Sequence, residues 1–136
     1  FPLDVTDSEK CKNVFENIKN KIGEIDISVF CTGIHDPKSE KSLNLEKVKK
    51  IMEVNFFGSL ALTRYVLPKM VQQGSGHVLV TSSVAGKFGT KYRSGYAASK
   101  HAIQGAFDSI RQEMYEHNIT VSLICPGPIK TSITQN

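Results

Sequence analysis

A tyrosine and a lysine four residues apart are the side chains in this sequence whose types and spacing most directly suggest chemistry. Residues at positions i and i+4 share one face of a helix, so Tyr96 and Lys100 would lie side by side. A tyrosine hydroxyl acts as a general acid when a neighbouring positive charge favours its phenolate form, and a lysine ammonium supplies that charge. The alternative is a packed tyrosine beside a lysine whose stem follows the apolar surface. The pair alone does not decide between these interpretations.

Two further polar positions could join this pair. Ser82 and Ser83 directly follow an apolar run, and Ser83 lies thirteen residues before Tyr96. A hydroxyl at a strand end can hold a substrate oxygen against the tyrosine, although serines at such positions are usually turn residues. Asn55 lies on the apolar stripe of a predicted helix, where an asparagine is costly unless it is hydrogen bonded. It is either a satisfied core amide or a fourth member of the site.

The hydrophobic period predicts the elements that would position these side chains. Short apolar runs typical of buried parallel strands span residues 25–30, 77–81 and 120–124. Amphipathic helices are predicted up to Gly23, over about 45–73 and over about 96–117, and residues 3–5 are predicted to end a further strand. Alternation of this kind predicts an α/β fold with a parallel sheet covered by helices. We expect the three strands to be adjacent in sequence order.

The Tyr96 helix also indicates where the pair lies on that sheet. Its apolar stripe continues through Ile103, Phe107, Ile110 and Met114. This stripe places Tyr96 and Lys100 where the buried helix face meets the carboxyl edge of the strands. Ligands of open α/β sheets bind at that edge.

Composition excludes several classes of protein. The chain has 136 residues, of which 40% are hydrophobic and 22% charged, as expected for one globular domain or a piece of one. Its net charge of +4 is spread along the chain, and the cluster around Lys47, Lys49 and Lys50 lacks the interleaved aromatics that nucleic-acid binding favours. Three separated cysteines indicate neither a zinc site nor a disulfide framework. No apolar run is long enough to cross a bilayer.

Several motifs in order together resemble the short-chain dehydrogenase/reductase family, and within it the member 7 group. They are D-V at 4–5, F-C-T-G at 30–33, V-N-F-F-G at 54–58, S-S-V-A-G at 82–86, Y-A-A-S-K at 96–100 and P-G-P-I-K-T at 126–131. The resemblance implies a catalytic set of Asn55, Ser83, Tyr96 and Lys100, in which the thirteen-residue spacing to Tyr96 selects Ser83 over Ser82. Asn55 would anchor a water in the proton relay.

The resemblance also implies a set of residues that bind a dinucleotide. Those implied are Asp4 and Val5 at the adenine, Gly33 beside the adenosine ribose, Tyr96 and Lys100 at the nicotinamide ribose, and Pro126, Gly127, Ile129 and Thr131 at the nicotinamide carboxamide. The cofactor would be NADP or NAD, with NADP favoured by the resemblance alone.

Two departures limit this comparison. Phe30, Cys31 and Thr32 replace the first three residues of the family's usual N-N-A-G motif, which leaves Gly33 as the transferable position. The glycine-rich turn that binds pyrophosphate does not occur in this sequence. We therefore expect residues 1–136 to form a single partial domain of a Rossmann-type, doubly wound parallel sheet, without its first two βα units and its C-terminal end.

The resemblance implies an enzyme that transfers hydride between NAD(P)(H) and a carbonyl or secondary alcohol of the steroid, retinoid or xenobiotic class. Family members commonly pair through two long helices, here about 45–73 and 96–117, which implies a homodimer or homotetramer. The alternative is a non-catalytic member that serves as a ligand-binding or dimerisation module. Location stays open between the endoplasmic reticulum membrane and the cytoplasm, because a membrane anchor would lie upstream of Phe1.

Overall fold

Helices and strands alternate along the part of the chain that the structure describes. The structure, a computed structural model, describes residues 2–36 and 43–129. In order, these elements are α1 (Ser8–Ile22), β1 (Ile27–Phe30), α2 (Leu45–Met52), α3 (Gly58–Gln73), β2 (Gly76–Thr81), α4 (Ser94–Met114) and β3 (Ile119–Ile124). The predicted helices and the three predicted buried strands are confirmed, with ends that differ by a few residues.

The three strands form one parallel sheet in the order β1-β2-β3. Phe30 is the partner of Val80, and Val80 is in turn the partner of Leu123. This is the predicted order and direction. Because all three strands run the same way, their carboxyl ends meet at one edge of the sheet.

The core lies between one face of the sheet and the helices α3 and α4. Strand side chains alternate between faces, so every second residue points inward. The residues that form this core include Phe30, Val66, Met70, Val78, Val80, Ile103, Phe107, Ile119 and Val121. On β1 the alternate residues Ile27 and Val29 are 63% and 55% exposed, so the opposite face is open here. The buried face of the sheet is therefore the one that packs against α4, the helix that carries Tyr96 and Lys100.

The helices begin and end where the sequence supplies caps. The Asp7 side chain accepts a hydrogen bond from the Lys10 amide at 3.0 Å, and the Asn44 side chain accepts one from the Lys47 amide at 3.1 Å. These bonds satisfy amides that the first turn of a helix leaves unpaired. Gly74 ends α3 in the left-handed conformation, with φ of 72°, which glycine adopts without a steric penalty.

A π-helical turn interrupts the long helix predicted over about 45–73. It spans Glu53–Phe57, between α2 and α3, and contains Asn55. A π turn holds one more residue than an α-helical turn, and such turns occur often at functional sites. The buried positions Ile51, Asn55 and Ser59 keep a spacing of four residues through it, so hydrophobic periodicity alone did not reveal the turn.

Residues 3–5 are in no strand, since the chain is irregular at Leu3 and Asp4 and turns at Val5 and Thr6, so the prediction of a strand there is wrong. The Asp4 carboxylate accepts hydrogen bonds from the amide and the hydroxyl of Thr6, at 3.0 and 2.8 Å. The Asp7 amide donates to the Asp4 carbonyl at 3.1 Å. These local bonds compete with extended pairing and lead the chain into the Asp7 cap. The Thr6 amide also holds the pKa of Asp4 below its usual value.

We expect the 136-residue chain on its own to aggregate and to lack a sharp unfolding transition. Among the described residues β1 pairs only with β2, and its outer edge and open face are apolar, which favours association of strands. Val29→Lys should raise the soluble fraction of the isolated chain, because a charge on an edge strand opposes pairing. Thermal unfolding monitored together with light scattering measures both effects.

The control for this test is Ile22→Lys, which removes an even more exposed apolar residue, 74% exposed against 55% for Val29, from α1 rather than from the strand. If both variants improve solubility equally, general surface hydrophobicity is responsible and not the edge of β1. A sharp, reversible transition of the unmodified chain would contradict the expectation directly.

Candidate active site

Three loops meet at the carboxyl edge of the sheet, one after each strand. The loop after β2 is bonded to the loop after β3: the Ser82 amide donates to the Ile124 carbonyl at 2.8 Å, and the Val84 amide donates to the Pro126 carbonyl at 3.1 Å. Of the predicted site residues, Gly33 lies in the first loop, Ser83 in the second and Pro126 in the third. The fold thus brings distant sequence motifs to the edge where open α/β sheets bind ligands.

Tyr96 and Lys100 lie side by side in the first turns of α4, as their spacing predicted. The Lys100 Nζ lies 5.8 Å from the centre of the Tyr96 ring. Lys100 is only 3% exposed, and its Nζ donates to the Thr81 carbonyl at 2.9 Å. Tyr96 is half-buried, so part of this residue is accessible to solvent. The structure therefore places a buried ammonium beside the tyrosine, which is the arrangement that the predicted general acid requires.

Burial lowers the pKa of Lys100 from its usual 10.5 to about 8, because the charged ammonium loses water. The nearby Cys31 side chain opposes this effect, since its negative form would favour the ammonium. A lysine with a pKa of about 8 is only partly protonated at mildly alkaline pH, so its charge responds to small changes in its surroundings.

Asn55 is fully buried and all of its side-chain bonds join other segments. Its Oδ1 accepts from the Ile34 amide at 2.7 Å, and its Nδ2 donates to the Ile34 carbonyl at 3.1 Å and to the Ser99 Oγ at 3.0 Å. The Ser99 hydroxyl in turn donates to the Tyr96 carbonyl at 2.8 Å. Asn55 is thus a satisfied core amide, one of the two interpretations of the sequence. It is also a link between the loop after β1 and the helix that carries Tyr96.

The two serines after β2 have different surroundings. Ser82 is buried, and its hydroxyl donates to the Lys100 carbonyl at 3.2 Å. Ser83 begins a 3₁₀ turn, Val84–Gly86, where its hydroxyl oxygen accepts from the Ala85 amide at 3.2 Å. A hydroxyl that accepts one bond still has its own proton to donate. Ser83 therefore keeps a donor for a ligand, whereas Ser82 uses its donor inside the protein.

Gly33 and Gly86 lie against the lysine from two sides. A Cβ added at Gly33 would lie 3.5 Å from the Lys100 Nζ and 3.7 Å from the Asn55 Oδ1. A Cβ added at Gly86 would lie 2.8 Å from the Lys100 carbonyl oxygen, closer than such atoms approach, so the turn after Ser83 requires glycine there. The missing side chain of Gly33 leaves open space directly beside the ammonium.

The remaining predicted cofactor residues are in other surroundings or outside the described part of the chain. Asp4 is exposed, and Val5 packs against Gly58 at the start of α3. Gly127 and Ile129 are exposed beyond β3. Thr131 lies outside the described residues.

Two residues that the sequence analysis did not single out contact the predicted catalytic side chains. The His35 ring lies 4.9 Å from the Tyr96 ring, centre to centre, at an angle of 50°. Ser99 joins Asn55 to Tyr96, as described above. Ser99 lies inside the Y-A-A-S-K motif, and its place in the sequence between Tyr96 and Lys100 was a signal that could have been used. His35 follows Gly33 by two residues, and no feature of the sequence pattern indicated that it would contact Tyr96.

The described residues contain no group of three or more histidine, cysteine, aspartate or glutamate side chains arranged to hold a metal ion. Across residues 2–36 and 43–129, no helix combines the length and apolar character needed to cross a membrane.

A family model described as short chain dehydrogenase matches residues 1–136. The chain belongs to this family. A dehydrogenase/reductase SDR family protein 7-like from Drosophila melanogaster is 39% identical over the whole chain, which corresponds to 42% of that protein. A dehydrogenase/reductase SDR family member 7B from Mus musculus is 41% identical over 84% of the chain and 35% of its own length. The chain thus spans less than half the length of these short-chain dehydrogenase relatives.

Solved structures of the family share the fold. A short-chain dehydrogenase from Streptomyces avermitilis superposes with a TM-score of 0.91 at 29% identity, over 97% of this chain and 48% of that one. A variant of ElxO with NADPH bound superposes with a TM-score of 0.92 at 28% identity, over 99% of this chain and 55% of its own. The predicted short-chain dehydrogenase family and the α/β class with a parallel sheet are therefore confirmed.

We expect Asn55→Ala to destabilise the full-length protein by about 2–4 kcal/mol, because it leaves the amide and the carbonyl of Ile34 without partners in a partly buried loop. The control is Asn17→Ala, which removes an exposed asparagine from the middle of α1. Urea unfolding of both variants gives the comparison. Equal, small changes in the free energy of unfolding would contradict the linking role of Asn55.

We expect the Lys100 pKa to make stability depend on pH. Between pH about 8, the folded value, and 10.5, the usual value, the unfolded chain binds a proton that the folded chain does not. The free energy of unfolding should therefore rise with pH across this window, relative to that of Lys100→Met. Below pH about 8 the lysine is protonated in both states, so the cost of burying its charge is present in full. The difference in the free energy of unfolding between wild type and Lys100→Met is then constant.

Urea unfolding at about pH 7 and about pH 9.5 tests this prediction in the full-length protein. Lys12→Met, which removes an exposed lysine from α1, controls for the loss of one surface charge. If the free energies of unfolding of wild type and Lys100→Met change by the same amount between the two pH values, Lys100 keeps its ordinary pKa in the folded protein and the prediction is wrong.

Proposed function

We propose that the protein carrying this chain is an NAD(P)-dependent oxidoreductase that transfers hydride between the cofactor and a carbonyl or secondary alcohol. The observation that supports this proposal most is the desolvated Lys100 ammonium beside the ring of Tyr96 at the carboxyl edge of the sheet. A tyrosine so placed can donate a proton to a carbonyl oxygen in reduction and accept one from an alcohol in oxidation.

The residues at this edge fit a nicotinamide dinucleotide. Gly33 leaves room beside the Lys100 Nζ, which donates one of its three hydrogen bonds to the Thr81 carbonyl. Its remaining donors suit vicinal ribose hydroxyls. When bound, the nicotinamide supplies or accepts the hydride at its C4 atom. Pro126, Gly127, Ile129 and Thr131 would hold the carboxamide, and Asp4 and Val5 would lie at the adenine.

Each catalytic residue then has a defined task. Ser83 donates its free hydroxyl proton to the substrate oxygen and orients that oxygen toward Tyr96. The Lys100 ammonium favours the phenolate form of Tyr96, so the proton moves more easily in both directions. Asn55 holds the helix of Tyr96 to the loop after β1, and the water that it would anchor is part of the same proposal.

The substrate is proposed to be a steroid, retinoid or xenobiotic carbonyl compound, following the resemblance to the member 7 group. NADPH is the first cofactor to test, since the ElxO structure contains it. The assembly is proposed to be a homodimer or homotetramer in which the helices α2, α3 and α4 form the contact. Residues 1–136 would contribute one partial catalytic unit to each subunit.

We expect Tyr96→Phe in the full-length enzyme to lower kcat by roughly 10²- to 10⁴-fold while the fold is retained, because positioned acid–base catalysis contributes about this much. Phenylalanine keeps the ring that contacts His35 and removes only the hydroxyl. Steady-state reduction of a model carbonyl with NADPH or NADH provides the rate, and thermal unfolding checks the fold.

Tyr115→Phe is the matched control, because Tyr115 is a highly exposed tyrosine beyond the end of α4. Within the same assay, Ser83→Ala should lower kcat, whereas Ser82→Ala should mainly lower stability. Near-native turnover of Tyr96→Phe would overturn the proposed mechanism.

A further inference from the structure

Gln104 is a buried polar residue on α4, one helical turn beyond Lys100. It is 7% exposed, and its amide bonds two separate segments. Its Nε2 donates to the Cys125 Sγ at 2.9 Å, and its Oε1 accepts from the Lys87 Nζ at 2.8 Å. Because lysine only donates, the amide oxygen must face Lys87 and the amide nitrogen must face the sulfur. Both ends of the side chain are therefore fixed.

The two segments that Gln104 joins are those on either side of the proposed reaction centre. Lys87 closes the 3₁₀ turn that Ser83 begins, where its amide donates to the Val84 carbonyl at 2.9 Å. Cys125 directly follows β3 and begins the loop proposed to hold the nicotinamide. The loop after it is open, since a Cβ added at Gly127 would meet no atom within 4 Å. The Gln104 amide is thus a side-chain connection between the serine turn and this loop.

The two halves of the connection differ in their exposure to water. Lys87 is exposed, so water can replace its bond to Gln104. Cys125 is half-buried, and the amide proton is directed at its sulfur from inside the protein. Loss of that bond leaves the start of the loop with fewer constraints. The bond to Cys125 is therefore the one that should matter for the position of the loop.

We propose that Gln104 is a positioning residue for cofactor binding, because it holds Cys125 and thereby sets where the following loop lies relative to Ser83. This inference rests on the proposed function, since it takes the loop that begins at Pro126 as the nicotinamide loop. Gln104 acts through Cys125 and does not touch the reacting atoms.

The test compares Gln104→Leu, which removes both bonds, with Gln104→Glu, whose carboxylate still accepts from Lys87 but has no proton to donate to the sulfur. Both variants of the full-length enzyme should raise the Kd and KM for NADPH or NADH by roughly two- to tenfold, the range expected when one hydrogen bond is lost. The change in kcat should be smaller, and the pH profile should keep its shape because Tyr96 and Lys100 are unaltered. Without cofactor, amide hydrogen exchange should become faster at Cys125, Gly127 and Ile129 and at Val84, whose amide donates to the Pro126 carbonyl.

Two conservative variants serve as controls. Cys125→Ser keeps an acceptor for the Gln104 amide and should remain close to wild type, whereas Cys125→Ala should reproduce the faster exchange and weaker cofactor binding. Gln112→Leu changes an exposed glutamine on the same helix and should have no effect. If Gln104→Leu fails to fold, the comparison of Cys125→Ala with Cys125→Ser carries the test.

The inference would be overturned if both Gln104→Glu and Cys125→Ala showed the same amide exchange rates and the same KM for the cofactor as the wild type. If the wild-type enzyme binds neither NADPH nor NADH, the proposed function fails. The exchange measurement still decides in that case whether Gln104 holds the loop, so the two failures are distinguishable.

Discussion

The buried amide of Asn55 is the interaction on which the arrangement of the candidate site depends. One side chain pairs with both backbone groups of Ile34, as a neighbouring strand would, and reaches the next helix through Ser99. Each buried backbone group left unpaired costs about 1–3 kcal/mol, which is large compared with a total stability of about 5–15 kcal/mol. The amide therefore fixes three segments at once: the loop with Gly33, the π turn and the start of α4.

The end of β2 holds Lys100 in a similar way from the other side. The Thr81 carbonyl accepts from the lysine Nζ, while the neighbouring Ser82 hydroxyl donates to the lysine carbonyl. Two consecutive residues of the sheet edge thus bind the two ends of one residue on the helix. This double attachment explains how a nearly buried ammonium is kept in place although burial disfavours its charge. The position of the ammonium beside Tyr96 follows from the strand and not from the flexible lysine stem.

Much of this arrangement could be predicted from the sequence, because shared helix faces and the alternation of strands and helices follow from periodicity. The i, i+4 spacing placed Tyr96 beside Lys100, and three apolar runs between helices predicted parallel strands, whose order the resemblance to the family implied. Other features depend on contacts between distant residues, which periodicity does not encode. The buried positions of the π turn keep a four-residue spacing, so the turn left no signal in the hydrophobic periodicity of the sequence. The contact of His35 with Tyr96 and the role of Gln104 arise only after folding, whereas the error at residues 3–5 came from underrating the Asp4–Thr6 turn.

The π turn also determines what a change in chain length would do to this helix. Removal of one residue from Glu53–Phe57 would convert the π turn into an ordinary helical turn and leave α2 and α3 on their present faces. The same deletion within α3 would rotate every residue on one side of it by about 100°. A one-residue gap should therefore disturb the fold less here than within α3, and its main effect should fall on Asn55 and its bonds to Ile34. A relative with a shorter chain here would be expected to keep the scaffold and to differ at the candidate site.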